Sequence, residues 1–206
     1  MNTISSAYSE LSKSRSEYVQ FYMKNHEQIP TWIMIKVVNF STFIDVLHNS
    51  KTNVTHAICK LYSMYDDNNL PNVKLLIGSL HWLRRVRNSC AHNERVYCIH
   101  QTQARNNSAS GRILDPYYTQ LPTSYSRCTE KNIFDILVYF KYFLPTEEFT
   151  PMIIELKNML IELQNTLQTN AFDNVRGQMG IKNLNVLDAL IALPKSKIEY
   201  HKFDTL

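Results

Sequence analysis

An all-α fold is the architecture this sequence predicts, and two observations carry the prediction. Only four glycines occur in 206 residues, and the seven prolines sit mostly at segment edges, which disfavours the many tight turns of a sandwich or barrel. Several long stretches repeat apolar residues every three or four positions, the spacing of a helix that buries one face. A chain of this length is expected to form one domain spanning 1–206, with enough core to stand without disulfides or a structural metal. No window reaches the roughly 18 consecutive apolar residues of a membrane span, and the start Met1-Asn2-Thr3-Ile4 has no secretory pattern. Cys59, Cys90, Cys98 and Cys128 form no CxxC pair, so free thiols in a reducing, cytoplasmic compartment are expected, with no membrane partner.

In chain order, residues from about Ser9 to Asn25 are expected to form an amphipathic helix ending before Pro30. The apolar run Trp32 to Phe40 is compatible with a strand or a buried helix, and a Thr31 cap after proline favours helix. Ser41 or Thr42 is expected to cap a short helix through Leu47, and Val54 to Tyr65 is apolar up to the loop Asp66 to Pro71. From Asn72 a long helix is predicted, its core stripe being Leu76, Leu80, Leu83, Val86 and Cys90. After a stretch without period from Gln101 to Lys131, Ile133 to Phe143 is apolar nearly all round and should be central, with Pro145 ending it. Pro151 to Gln168 reads as an amphipathic helix preceded by Glu147 and Glu148, the pattern weakens beyond Asn170, and Asn185 to Leu193 reads as a last short helix.

The chemistry concentrates in residues 84–97. Between His81 and Arg112 there are six arginines and one acid, Glu94, whereas the net charge of the whole chain is only +4. Arginine without lysine suits planar, bidentate recognition of phosphate. On a helical wheel His81, Arg84, Arg85, Asn88, His92 and Arg95 fall within about a third of a turn. Arg87 lies apart from them: five residues before His92 is about 140° of rotation, at the border of the expected apolar stripe. An arginine there wants a partner, and a subunit interface would supply one.

The irregular stretch 101–131 interleaves Arg105, Arg112 and Arg127 with Tyr117, Tyr118 and Tyr125. Such a loop could stack and pair with single-stranded nucleic acid, or be a solvated loop. The triplets Cys90-Ala91-His92 and Cys98-Ile99-His100 miss the usual zinc spacings, and buried free cysteine is the better account, so no metal or other cofactor is expected. Glycine-rich phosphate loops, nucleophile elbows and paired carboxylates in a helical spacing are lacking. Histidine and arginine remain. Histidine can exchange a proton near neutral pH while arginine holds a phosphate, a pair sufficient in principle for RNA cleavage. A solvated basic helix face with a capping histidine fits the same spacing.

Arg87-Asn88-Ser89-Cys90-Ala91-His92 resembles the R-x4-H motif of the HEPN superfamily of ribonucleases. Its setting, through Glu94-Arg95-Val96-Tyr97, is similar to the RN-x-CAH-x-x-R-L-[YW] block of the Abi-like family, bacterial abortive-infection proteins. Upstream, Glu17-Tyr18, Pro30-Thr31-Trp32 and Val38-Asn39-Phe40-Ser41-Thr42-Phe43 resemble that family's Y…PxW…SFGxLS block, without its glycine. The resemblance runs from about Ser16 to Cys98 and loosely to Leu193, as if this were a short form lacking the family's N-terminal portion.

The resemblance implies a HEPN-like helical bundle with a long irregular loop around 101–131, forming a homodimer whose facing motifs make one composite site. It implies a metal-independent endoribonuclease of phage defence, with Arg87, Asn88 and His92 catalytic. Arg84, Arg85, Arg95, Tyr97, Arg105 and Arg112 would then bind RNA, and an antitoxin, protein or RNA, is an expected partner. The alternative is a catalytically inactive HEPN module that binds RNA or protein. A third reading is a helical interaction protein whose basic patch docks an acidic antitoxin.

Overall fold

The structure, a computed structural model, describes residues 3–66, 68–102, 117, 120, 121 and 130–194, without the side chains of 101, 102 and 130. The described residues are predominantly helical, as expected, and the chain divides into two compact units, Met1–Thr55 and His56–Leu206.

The first unit contains α1 (Thr3–Lys13), α2 (Glu17–Asn25), α3 (Thr31–Val37) and α4 (Phe40–His48), with α1 packed against the other three. Its core is Leu11, Val19 and Ile33, flanked by Tyr22, Met23, Ile29, Met34 and Val37. The single helix expected from Ser9 to Asn25 is two helices. The chain turns at Ser14, whose hydroxyl accepts from the Ser16 amide at 3.4 Å and whose carbonyl accepts from Gln20 Nε2 at 2.7 Å. Serine side chains compete for backbone groups in this way, which is why they interrupt helices. Thr31 starts α3 without capping it by its side chain. Asn39, rather than Ser41 or Thr42, caps α4, its Oδ1 accepting from the Thr42 amide at 3.0 Å. Glu10 of α1 then ties down that cap, accepting from the Asn39 amide at 2.7 Å and from Thr42 Oγ1 at 2.6 Å.

Helix α5 (Thr52–Leu61) carries the boundary between the units. The second unit continues with α6 (Val73–Ala91), the 3₁₀ turn η1 (Val96–Cys98), α7 (Ile133–Phe143), α8 (Thr146–Thr166), α9 (Thr169–Gln178) and α10 (Asn185–Ala192): α6, η1 and α8 pack against α7, and α9 and α10 pack against α8. Helix α7 is buried nearly all round, as its composition predicts, down to Asp135 and Lys141. Asp135 is used in a capping box: the Asn132 amide donates to its Oδ2 at 2.8 Å, while Asn132 Oδ1 accepts from the Phe134 amide at 3.0 Å. Lys141 Nζ donates to the carbonyl of Leu190 at 2.7 Å, at the C-terminal end of α10 where a cation complements the helix dipole.

Two helices differ from expectation at their limits. Helix α8 begins at Thr146 and carries Pro151 inside, so Glu147 and Glu148 lie in its first turn instead of ahead of it. Helix α9 extends past Asn170, where the apolar pattern is thin: Phe172 is its buried residue, and Arg176 holds it through Asp173 Oδ1 at 2.8 Å and the Ile181 carbonyl at 3.3 Å. The irregular stretch is closed at its base by the antiparallel pair β1 (Gln101–Thr102) and β2 (Glu130–Lys131), Gln101 opposite Lys131. Most of what was expected of 101–131, including Arg105, Arg112, Arg127, Tyr118 and Tyr125, lies outside the described residues. Tyr117 is described and is buried, its ring 4.6 Å from that of Tyr142, so it is a core residue and not a stacking platform for bases.

Candidate functional site

Helix α6 begins where the sequence predicts, with Asn72 Oδ1 accepting from the Leu75 amide at 3.0 Å. Its buried face differs from the expected stripe. Leu75, Ser79, Trp82 and Ser89 are buried with Leu76 and Ile77, while Leu80, Leu83 and Val86 are half-buried and Cys90 is exposed. The core-facing line is therefore shifted by one residue, about 100° around the helix. Two contacts account for the shift. Trp82 Nε1 donates to the Asn132 carbonyl at 3.0 Å, turning that face toward the start of α7, and Ser79 is small and satisfies its hydroxyl on the Leu76 carbonyl at 2.8 Å. An aromatic anchor and a self-satisfied serine outweigh the leucine count.

This rotation divides α6 into three faces. With the core centred on the Leu75–Trp82 line, the strip of His81, Arg85, Asn88 and His92 lies about 120° to one side, and Arg87 about 120° to the other. Arg87 is solvent-exposed, on the side of the helix that also carries the half-buried Leu80 and Leu83. Its Nη1 donates to Asn88 Oδ1 at 3.1 Å.

The end of α6 builds the rest of the site. Asn93 takes φ +55°, the Glu94 amide donates to the Ser89 carbonyl at 2.9 Å, and the Asn93 amide donates to the Cys90 carbonyl at 3.1 Å. These are the two bonds of a Schellman ending, which reverses the chain directly after His92. The reversal carries the Glu94 side chain back to Ser89, whose Oγ donates to Glu94 Oε2 at 2.6 Å.

A cleft of about 700 Å³ opens over this reversal, lined by Gly78, His81, Trp82, Arg84, Arg85, Asn88, Ser89, His92, Glu94 and Lys131. Five of the six residues grouped on the wheel meet there: His81, Arg84, Arg85, Asn88 and His92. Arg95 does not, because the helix stops at Ala91 and Arg95 instead precedes η1, its carbonyl accepting from Cys98 Sγ at 3.2 Å. Tyr97, within η1, is exposed and also stands outside the cleft. Arg87 is not part of its lining either and reaches it only through Asn88. Trp82 and Lys131 lie outside the 84–97 stretch in which the sequence concentrates its chemistry, and Ser89 and Glu94 lie within it without an expected role. Lys131 arrives through the β1–β2 pairing, which no local pattern announces, whereas the Ser89–Glu94 spacing around Asn93 is a legible helix-stop signal.

Electrostatically the cleft sets Arg84, Arg85 and Lys131 against one carboxylate, Glu94, which already accepts from Ser89. Arg85 lies over the Trp82 ring, its Cζ 5.4 Å from the centroid, which holds the guanidinium at the rim. Such a surface favours an anion with planar oxygen groups, with an imidazole at its edge able to exchange protons. Among the described residues, no group of three or more His, Cys, Asp or Glu is arranged to hold a metal ion, and no helix is long and apolar enough to cross a membrane.

Residues 1–98 match the family of Abi-like proteins. The match starts ahead of Ser16, takes in α1, and ends at Cys98, just after the stretch from Arg87 to His92. No curated protein and no solved structure matches the chain.

Proposed function

Because residues 1–98 match the family of Abi-like proteins, we propose that this chain is a metal-independent endoribonuclease of an abortive-infection phage-defence system, acting as a homodimer with a composite HEPN-type R-x4-H site. The observation that carries this reading is the cleft at the end of α6, where His92 and Asn88 share one wall with Arg84 and Arg85. RNA brings its own nucleophile. His92 takes the 2′-hydroxyl proton, the 2′-oxygen attacks the adjacent phosphorus, the P–O5′ bond breaks, and the leaving 5′-oxygen takes a proton from water, giving a 2′,3′-cyclic phosphate and a 5′-hydroxyl. Arginine stabilises the charge that builds on the phosphorane oxygens, and Asn88 orients the phosphate or His92.

The separation of Arg87 from His92 supports the dimer. About 140° of helix rotation divides them, so one protomer offers His92 to its own cleft while Arg87 faces outward. A two-fold partner would bring the second Arg87 to the first His92. Arg84, Arg85 and Lys131 then draw the strand in by charge, with Arg95 adding to the positive field outside the cleft.

The test is cleavage of structured and single-stranded RNA in EDTA by the parent protein and by His92→Ala. Cleavage that persists in EDTA and falls about 10²-fold or more in the variant supports the proposal. Tight binding without cleavage by the parent protein would favour a silent RNA-binding module instead.

A further inference from the structure

The first unit, Met1–Thr55, exposes an aromatic surface that its own core does not use. Tyr18, Phe21 and Trp32 are 42, 56 and 50 % exposed. The Tyr18 and Trp32 rings lie within 16° of parallel with centroids 6.5 Å apart, and Tyr22 meets Trp32 edge-on at 5.8 Å while stacking on His26 at 4.8 Å. Lys36 Nζ stands 5.8 Å from the Tyr18 centroid and 5.3 Å from that of Trp32. Beside the rings is a cleft of about 440 Å³ whose lining includes Lys13, Ser14, Ser16, Tyr18, Lys36 and Asn39. Its one acid, Glu10, accepts from the Asn39 amide at 2.7 Å and Thr42 Oγ1 at 2.6 Å and so is turned to the start of α4, and Lys13 and Lys36 against this one carboxylate leave the lining net positive.

We propose that this face is a second nucleic-acid contact, binding unpaired bases of single-stranded RNA on the Tyr18, Phe21 and Trp32 rings and the adjoining phosphates on Lys13 and Lys36. Charge and ring chemistry select that occupant. Flat π faces beside ammonium groups and a hydroxyl- and amide-lined cleft match a base followed by a phosphate, the alternation of a single strand. A duplex keeps its bases stacked away from such a surface. The choice of RNA over DNA rests on the proposed function; the stacking surface does not, and its test reads binding alone.

The experiment uses the full chain carrying His92→Ala and follows fluorescence anisotropy of a labelled uridine 12-mer. The comparison probes are the same 12-mer paired to its complement, an abasic 12-mer, and phosphatidylserine vesicles. Tyr18→Ala with Phe21→Ala is expected to weaken binding of the single strand about tenfold or more, while changing affinity for the duplex and the abasic strand less than about twofold. Trp32→Phe, which keeps a ring, should retain most of the affinity, and Lys36→Gln, an exposed change with little bearing on folding, should weaken the single strand and the abasic strand alike. A 4-thiouridine 12-mer should crosslink to peptides within 17–36. Unchanged affinity in the double variant and in Lys36→Gln, an equal loss on the abasic strand in the double variant, crosslinks confined to 84–131, or vesicles bound in preference to RNA would each overturn the proposal. If the chain proves not to cleave RNA, these outcomes still stand or fall by themselves.

Discussion

Three exposed side chains, His92, Arg87 and Cys90, and one buried thiol, Cys59, can each be tested singly. His92 and Arg87 are assigned different work, so their losses should differ in kind. Replacing His92 by alanine removes proton transfer, and the cleavage rate should drop with little effect on RNA affinity. Arg87→Ala should slow the chemical step by about 10²- to 10³-fold, the usual weight of a charge-stabilising donor. Single-turnover cleavage beside anisotropy separates the two, and parental cleavage by Arg87→Ala would remove it from the site. Cysteines give an independent reading of the rotation of α6. Cys90, expected to be buried, is exposed, whereas burial pushes the Cys59 thiol up to about 11. At pH 8 iodoacetamide should modify Cys90 within minutes and leave Cys59 protected until the protein unfolds, as read by peptide mass spectrometry. Because folding raises this pKa from 9.0, the stabilisation it reports is complete below pH 9 and is lost as pH climbs from about 9 to about 11.

At the scale of elements, the site depends on how α6 is seated and how it ends. The Trp82–Asn132 bond fixes its rotation, and Asn132 also caps α7, so one residue serves two helices. Trp82→Phe keeps an aromatic ring but removes the donor and part of a buried indole, leaving the Asn132 carbonyl unpaired, and should cost about 2 kcal/mol or more, roughly 4–8 °C in melting temperature. Gly180, at φ +79°, lies so close to the Asn132 side chain that any Cβ there would overlap it. Gly180→Ala should therefore cost roughly 2 kcal/mol or more and disturb the same cap, measurable by thermal melting. What the sequence made legible follows the same physics. Helix α7 could be read at both ends because a residue run that is apolar all round has one destination, and the start of α6 because Asn72 is a strong cap. The face of α6 could not be read, because a leucine count cannot see that Trp82 has an acceptor waiting fifty residues away. Helix α9 stayed hidden for a related reason: its hold is Arg176 on Asp173 and on the Ile181 carbonyl, with a single buried ring.

At the scale of the whole molecule, the motif was legible and its geometry only half so. The wheel grouped His81, Arg84, Arg85, Asn88 and His92, and these do share a cleft, yet Lys131 and Glu94 enter it through a strand pair and a helix reversal. Charge should govern encounter with RNA there. Affinity of the His92→Ala protein should fall steeply between 50 mM and 200 mM salt, and removing Arg85 should make that dependence shallower by about one charge, seen in the slope of log Kd against log salt. The outward position of Arg87 makes the composite dimer the central claim, and subunit mixing tests it most directly. Arg87→Ala and His92→Ala proteins, each inactive alone, are mixed, unfolded and refolded together, and assayed on RNA in EDTA. A site shared across the two-fold leaves one intact Arg87–His92 combination in each hybrid, so the mixture should recover about a quarter of the parental activity. A mixture that forms hybrid dimers and stays as inactive as either parent would contradict the account, because Arg87 and His92 would then have to act within one chain.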